Sequence, residues 1–317
     1  MQDAITEKLK LLFESNQNAG VFSPEQTFAV LAPKFIDYLQ YELTASKDTI
    51  VKYRNNLKML QRDLSDLRSP LEMNLEHITA LKKQIQERGG GPNYVNSIIF
   101  TLRKFLIYCK EVHKLITINP KEIKPMKIPK REVIYLTPEE IRQLLNSFDT
   151  KDIRELRMRT LMELLLATGM RISEALSVNR KDINWDTKEL VIIGKGNKQR
   201  TVFLSDRALF WIKEYLSRRD DTAEALFITF SEKHTRLARY DLGHQFRFYA
   251  KRAGISKKVT PHILRHTMAT LLLKNGCNIK HIQEMLGHSD IETTAKYYLG
   301  TDKEALKESH AKFLKFD

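Results

Sequence analysis

The chain has 317 residues, with 53 Lys and Arg against 39 Asp and Glu and a formal net charge of +14 at pH 7. It is 42% hydrophobic and 29% charged, which supplies real cores and, at this length, points to two domains. The basic excess favours a polyanionic partner, with nucleic acid first among them.

Two cysteines, Cys109 and Cys277, exclude a disulfide framework and a thiolate metal site. The start MQDAITEKLKLLFESNQ does not read as a secretory signal, and apolar runs such as Leu164–Ala167 are too short to cross a bilayer. A cytoplasmic protein without membrane segments is expected.

Residues 1–25 read as an N-terminal extension and residues 26–116 as a helical domain. FAVLAPKFIDYLQYEL, TIVKYRNNLKMLQRDL and YVNSIIFTLRKFLIYCKEV carry apolar residues at helical spacing. GGGP at Gly89 to Pro92 breaks the domain before its last long helix. Residues 117–133, TINPKEIKPMKIPKREV, read as an extended linker because three prolines oppose a helix. From Lys114 to Arg131 there are six basic residues and one acidic, a net of +5. A solvated linker is lysine-rich too. The sharper reading is a strap that lays Lys124, Lys127, Lys130 and Arg131 along DNA phosphates. Residues 134–317 read as the second domain, entered through LTPEEIRQLLNSF, whose Thr-Pro start and early acidic residues begin a helix.

Four segments of this second domain carry polar residues that packing does not explain. In LMELLLATGMRISEAL an apolar helix stops at Gly169, and Arg171 opens the next helix with Glu174 three residues on. An Arg held by a carboxylate at a helix start presents its planar fork to a phosphate oxygen. Taken alone it is also an ordinary surface ion pair. ELVIIGKGNKQRTVFLS reads as a β-hairpin with Lys195 at its glycine turn, a position from which a lysine reaches into a groove. It lacks the GxxxxGK[ST] spacing of a phosphate-binding loop, and a strand follows where that loop needs a helix.

VTPHILRHTMATLLLKNG has Thr260 as N-cap and Pro261 as first residue, which puts His262 and Arg265 near the first turn on a shared face, with His266 four beyond His262. In NIKHIQEMLGHSDIETTAKYYLG, Gly287 ends one helix, and Ser289 with Glu292 makes a capping box for another. His288 sits in the junction. Tyr297 lies about 40° around that helix from Thr293, and Tyr298 about 100° from Tyr297, so the two cannot face one site. Singly, a solvated lysine, a structural histidine and a buried tyrosine explain these residues as well.

In this order the segments closely resemble the catalytic domain of the tyrosine recombinase (phage integrase) superfamily, especially its Xer-type members. The resemblance covers roughly residues 135–300, and residues 26–116 are similar, less specifically, to the family's DNA-clamping domain. It implies a mainly α chain with a small β-sheet, arranged as a two-domain C-shaped clamp: a helical core-binding domain, and an α+β catalytic domain with a C-terminal helix. It implies catalytic Arg171, Lys195, His262, Arg265, His288 and Tyr297. Leu272, where many relatives have a further His, and Tyr298, where Thr is frequent, depart from the pattern at positions outside the catalytic set.

The implied reaction is transesterification. Tyr297 attacks a DNA phosphate, the two arginines hold its non-bridging oxygens, and Lys195 protonates the leaving 5′-oxygen. His262 assists proton transfer from the tyrosine or hydrogen-bonds the phosphoryl group, and His288 hydrogen-bonds and orients the phosphate. The implied partners are a duplex recombination site and a homotetramer, with TDKEALKESHAKFLKF docking on a neighbouring protomer or folding back on its own domain. No cofactor and no metal are expected. The competing readings are a mobile-element integrase of the same superfamily, a type IB topoisomerase that uses the same chemistry to relax supercoils, and a catalytically idle DNA-binding protein of the same ancestry. The histidines alone suggest a metal-dependent phosphodiesterase, but its acidic ligand clusters are missing from the sequence.

Overall fold

The computed structural model describes residues 22–129, 134–194 and 199–287. The chain forms two compact units, residues 1–130 and 131–317.

The first unit is helical. Helix α1, Phe28–Asp37, continues through a wider π-type turn at Tyr38–Glu42. It is followed by α2 (Lys47–Asp63), α3 (Leu75–Glu87) and α4 (Pro92–Glu111). Caps start them: Ser46 Oγ accepts from Thr49 N–H, and Asn74 Oδ1 accepts from His77 N–H at 3.0 Å. The glycine break before α4 is as expected. A Cβ on Gly90 would lie 2.6 Å from the Ile85 side chain and 2.7 Å from its carbonyl oxygen, so only glycine fits. Leu31, Phe35, Leu60, Ile78, Ile98 and Phe105 are buried in the core, where the Phe35 and Phe105 rings pack edge to face at 5.6 Å. Buried Asn56 is satisfied by donating to Thr101 Oγ1 at 2.8 Å.

The linker is irregular, as its prolines require, but up to Met126 it is fixed to this unit. Ile123 is fully buried in the helical core. Asn96 clamps the Met126 backbone from both sides, accepting its N–H at 2.7 Å and donating to its carbonyl at 2.9 Å. Lys82 donates to the Lys124 carbonyl at 2.6 Å. Lys124 and Lys127 are exposed, while Lys130 and Arg131 lie outside the described residues.

The second unit opens with α5, Pro138–Asn146, capped by Thr137 and Glu140 reciprocally. Helix α6, Ile153–Thr168, is buried on nearly every side. Its Arg157 donates to the Ile228 carbonyl and lies 4.9 Å from the Phe230 ring, and its Arg159 lies 3.8 Å from the Trp211 ring. A short α7, Ile172–Ser177, leads into an antiparallel sheet of β1 (Ile183–Asn184), β2 (Glu189–Ile193) and β3 (Gln199–Phe203). The β2–β3 register pairs Ile192 with Arg200 and Leu190 with Val202, and this is the expected hairpin. Helices α8 (Asp206–Ser217), α9 (Leu242–Arg252), α10 (Pro261–Lys274) and α11 (Ile279–Leu286) complete the unit. No described helix is long and apolar enough to cross a membrane.

Replacing Asn96 with Ala removes both bonds that hold Met126, which should ease local opening by about 1–3 kcal/mol. Limited trypsin digestion should then cut faster after Lys121 and Lys127. Unchanged cutting would mean that Ile123 alone anchors the segment.

Candidate active site

Gly169 ends α6 with φ +60°, a left-handed conformation that turns the chain within two residues into Arg171 at the N-terminus of α7. The Arg171 N–H donates to Glu174 Oε2 at 2.7 Å and its Nη1 donates to Oε1 at 2.9 Å. The carboxylate therefore fixes both ends of the arginine, whose side chain stays 37% exposed. The expected ion pair is present.

Glu174 is itself buried and takes two further donors. Arg200 on β3 gives Nη1 to Oε1 at 3.1 Å and Nη2 to Oε2 at 2.7 Å. Burial by itself pushes the Glu174 pKa up, but the hydrogen bonds from Arg200 and Arg171 outweigh it and hold the carboxyl below its ordinary value. Arg200 also donates Nε to the Met285 carbonyl near the end of α11, at 3.1 Å.

Helix α10 starts as its sequence dictates, with Thr260 Oγ1 accepting the Ile263 N–H. His262 keeps an exposed edge on its first turn. Its pKa is lowered by burial first, then by the positive charges of Arg265, Arg171 and Arg239. The His266 ring meets that of His262 edge to face at 5.2 Å. Burial, with His262 and Arg265 beside it, pushes the His266 pKa down to about 4. Arg265 is only 3% exposed. Its Nη1 donates to the Gly169 carbonyl at 2.6 Å and its Nη2 to the Leu286 carbonyl at 2.5 Å. Spacing suggested a guanidinium turned outward to an anion; the folded chain also uses it to tie α6 to α11.

Helix α11 ends at Gly287, φ +62°, one residue before His288. Leu272 packs beside Met268, Ile282 and Leu286 in a small apolar cluster between α10 and α11, a packing role suited to leucine. Arg171, His262 and Arg265 are thus brought together. Lys195, His288 and Tyr297 lie outside the described residues, as do the capping box at Ser289, Tyr298 and the C-terminal segment. The ends of their flanking elements, Ile193 with Gln199 and Leu286 with Gly287, are described.

Two residues of the site escape sequence reasoning. Arg200 left a signal: it alternates with buried Val202 on the inward face of β3, where a cation needs a buried partner. Arg239 left none, since it lies in a short turn, Arg239–Asp241, among other polar residues. Among the described residues no group of three or more His, Cys, Asp or Glu is placed to hold a metal ion.

Glu174→Gln leaves two guanidiniums around a neutral amide and should destabilise the second unit by about 3–5 kcal/mol at pH 7. A lowered carboxyl pKa contributes stability above the unfolded value and loses it as pH falls through the folded one. Thermal melts of parent and variant should therefore differ most at neutral pH and begin to converge only as pH falls below about 4.3 toward the lowered folded value. A gap that persists at low pH would show that shape, not charge, carries the effect.

The Phage integrase family model matches residues 134–304. The chain is 31% identical over 289 residues to tyrosine recombinase XerC of Chlamydia pneumoniae, covering 83% of this chain and 92% of that protein. It is 31% identical over 293 residues to tyrosine recombinase XerD of Haemophilus ducreyi, covering 88% and 96%. Among solved structures, the Tn1549 transposon integrase in complex with a circular intermediate DNA superposes with a TM-score of 0.77 at 19% identity, covering 91% of this chain and 100% of that one. A lambda integrase dimer bound to a COC' core site superposes with a TM-score of 0.69 at 20% identity, covering 84% and 97%. These two likenesses establish the mainly helical fold with its small sheet, and the sequence relatives establish the kinship: the chain belongs to the phage integrase family and is a Xer-like tyrosine recombinase.

Proposed function

We propose that this recombinase cleaves and rejoins duplex DNA at a specific site through a 3′-phosphotyrosyl intermediate, with Arg171, Lys195, His262, Arg265, His288 and Tyr297 as its catalytic residues. The observation that carries the assignment is the meeting of Arg171, Arg265 and His262 in the second unit: Arg265 shares the first turns of α10 with His262 and donates to the carbonyl of Gly169, two residues before Arg171. Such a cluster of fixed cations suits a phosphate whose negative charge grows in the transition state.

The phenol oxygen of Tyr297 attacks phosphorus in line as the bond to the 5′-oxygen breaks. The phenol proton passes toward His262, whose lowered pKa favours the neutral, proton-accepting ring. Lys195 protonates the leaving 5′-oxygen, and His288 hydrogen-bonds the phosphate. Arg171 and Arg265 offset the charge on the non-bridging oxygens. The new ester conserves the energy of the old one, so the 5′-hydroxyl of another strand reverses the step without a nucleotide cofactor.

Lys124 and Lys127, exposed on the segment fixed by Asn96, support a strap along the DNA backbone that Lys130 and Arg131 extend. We assign residues 26–116 to DNA clamping, 117–133 to this strap and 134–317 to catalysis. The working form is a homotetramer on DNA, with the C-terminal segment docked on a neighbour. A lambda integrase tetramer bound to a Holliday junction, TM-score 0.68, supports that form. The named sequence relatives favour a Xer-type role over a mobile-element integrase, and we assign that role to the cytoplasm, on the nucleoid.

Tyr297→Phe should bind a nicked suicide duplex as the parent does yet give no protein–DNA band on a denaturing gel. A band of parental intensity from that variant would overturn the assignment of the nucleophile. Because burial and the neighbouring guanidiniums lower the His262 pKa from its ordinary value of about 6.5, the ring is mostly neutral at neutral pH, and a base role there predicts cleavage that fades only as pH falls below about 6.5. The acid limb should be absent from residual His262→Gln activity; an identical limb in that variant would assign it to another group.

A further inference from the structure

Arg200 has no place in the mechanism above, yet its side chain makes three hydrogen bonds at the heart of the site. It sits on β3, and its planar fork reaches two other elements at once. Both Nη atoms go to the Glu174 carboxylate on α7, and Nε goes to the Met285 carbonyl on α11. The side chain is 13% exposed and the carboxylate 6%. The end of α11 is shaped around it: a Cβ on Gly287 would lie 2.9 Å from Arg200 Cδ and 2.9 Å from Nη1. A buried ion pair is poor evidence of a stability role, because apolar replacements of similar volume commonly serve as well. What apolar groups cannot do is fix orientation across three elements, as a rigid fork of donors does.

We propose that Arg200 is a positioning residue for the transesterification, locking the hairpin that carries Lys195 to the Glu174 carboxylate and to the helix end that precedes His288. Lys195 lies five residues before Arg200 and His288 three after Met285, so one guanidinium ties the strand that follows Lys195 and the helix end that precedes His288 to the carboxylate that holds Arg171. The inference rests on the recombinase reading and on Lys195 as the acid for the leaving oxygen.

The test compares two full-length duplex substrates under single-turnover conditions. One has an ordinary scissile phosphate, and the other has sulfur in place of the bridging 5′-oxygen. Sulfur departs as a thiolate and needs no proton, so it removes the demand on Lys195 alone. Arg200→Ala should slow cleavage of the ordinary substrate by roughly 100-fold, the usual contribution of a positioned acid. On the sulfur substrate its deficit should shrink to less than about tenfold, matching the pattern of Lys195→Ala run alongside. DNA binding by fluorescence anisotropy should be unchanged. If Arg200→Ala does not give the parent's circular dichroism, Arg200→Lys decides by the same comparison, since it keeps the charge and loses the fork.

Equal deficits on both substrates, or none on either, would overturn the proposal while leaving the recombinase reading intact. Absence of sulfur rescue in Lys195→Ala would remove the lysine's role and the proposal with it. No adduct from the parent on either substrate would overturn the recombinase reading itself.

Discussion

A single buried carboxylate organises the second unit's polar centre. Glu174 accepts four N–H groups, two from Arg171 and two from Arg200. Removing a carboxylate from water is costly unless its lone pairs are filled, and here the donors win, since the group stays below its ordinary pKa despite burial. Because it remains charged, it draws two like-charged guanidiniums together and orients both. The partly exposed Arg171 is therefore held in one orientation by the protein, as the proposed reaction requires, since pre-set charge lowers a barrier in which negative charge grows.

The second constraint comes from helix ends. The last carbonyls of a helix have no partners within it and carry its partial negative charge. At α11 these carbonyls, from Met285 and Leu286, are taken by Arg200 and Arg265. The Gly169 carbonyl, just past α6, also goes to Arg265. Left-handed glycines at 169 and 287 bring these ends close enough for that exchange. Chain reversals and cation placement are thus one arrangement: the turns that end two helices expose the oxygens that seat the arginines. Burial first, and then the cations beside them, lower the pKa values of the neighbouring imidazoles His262 and His266.

The first unit solves a different problem, that of holding a proline-rich basic segment without regular structure. Such a segment has backbone groups that need partners, and two of them at Met126 find the Asn96 amide. Ile123 supplies the apolar anchor. With these two contacts made, Lys124 and Lys127 are presented to solvent from a fixed backbone, which lowers the entropy lost on meeting a phosphate chain.

The sequence alone decided whatever depends on neighbours a few residues apart. The Thr137 and Thr260 caps, the stops at Gly169 and Gly287, the pairing of Arg171 with Glu174 and the β2–β3 hairpin each rest on interactions within one turn or one reversal. The ordered motifs were legible for the same reason, and with them the family. Tertiary structure alone decided where Arg200 and Arg265 send their donors and that Ile123 belongs to a core. Those hydrogen bonds join residues 21, 26, 85 and 96 positions apart. No local window contains both partners. A guanidinium on an inward strand face announces that it needs an acceptor, but which carbonyl or carboxylate meets it is fixed only when separate elements pack.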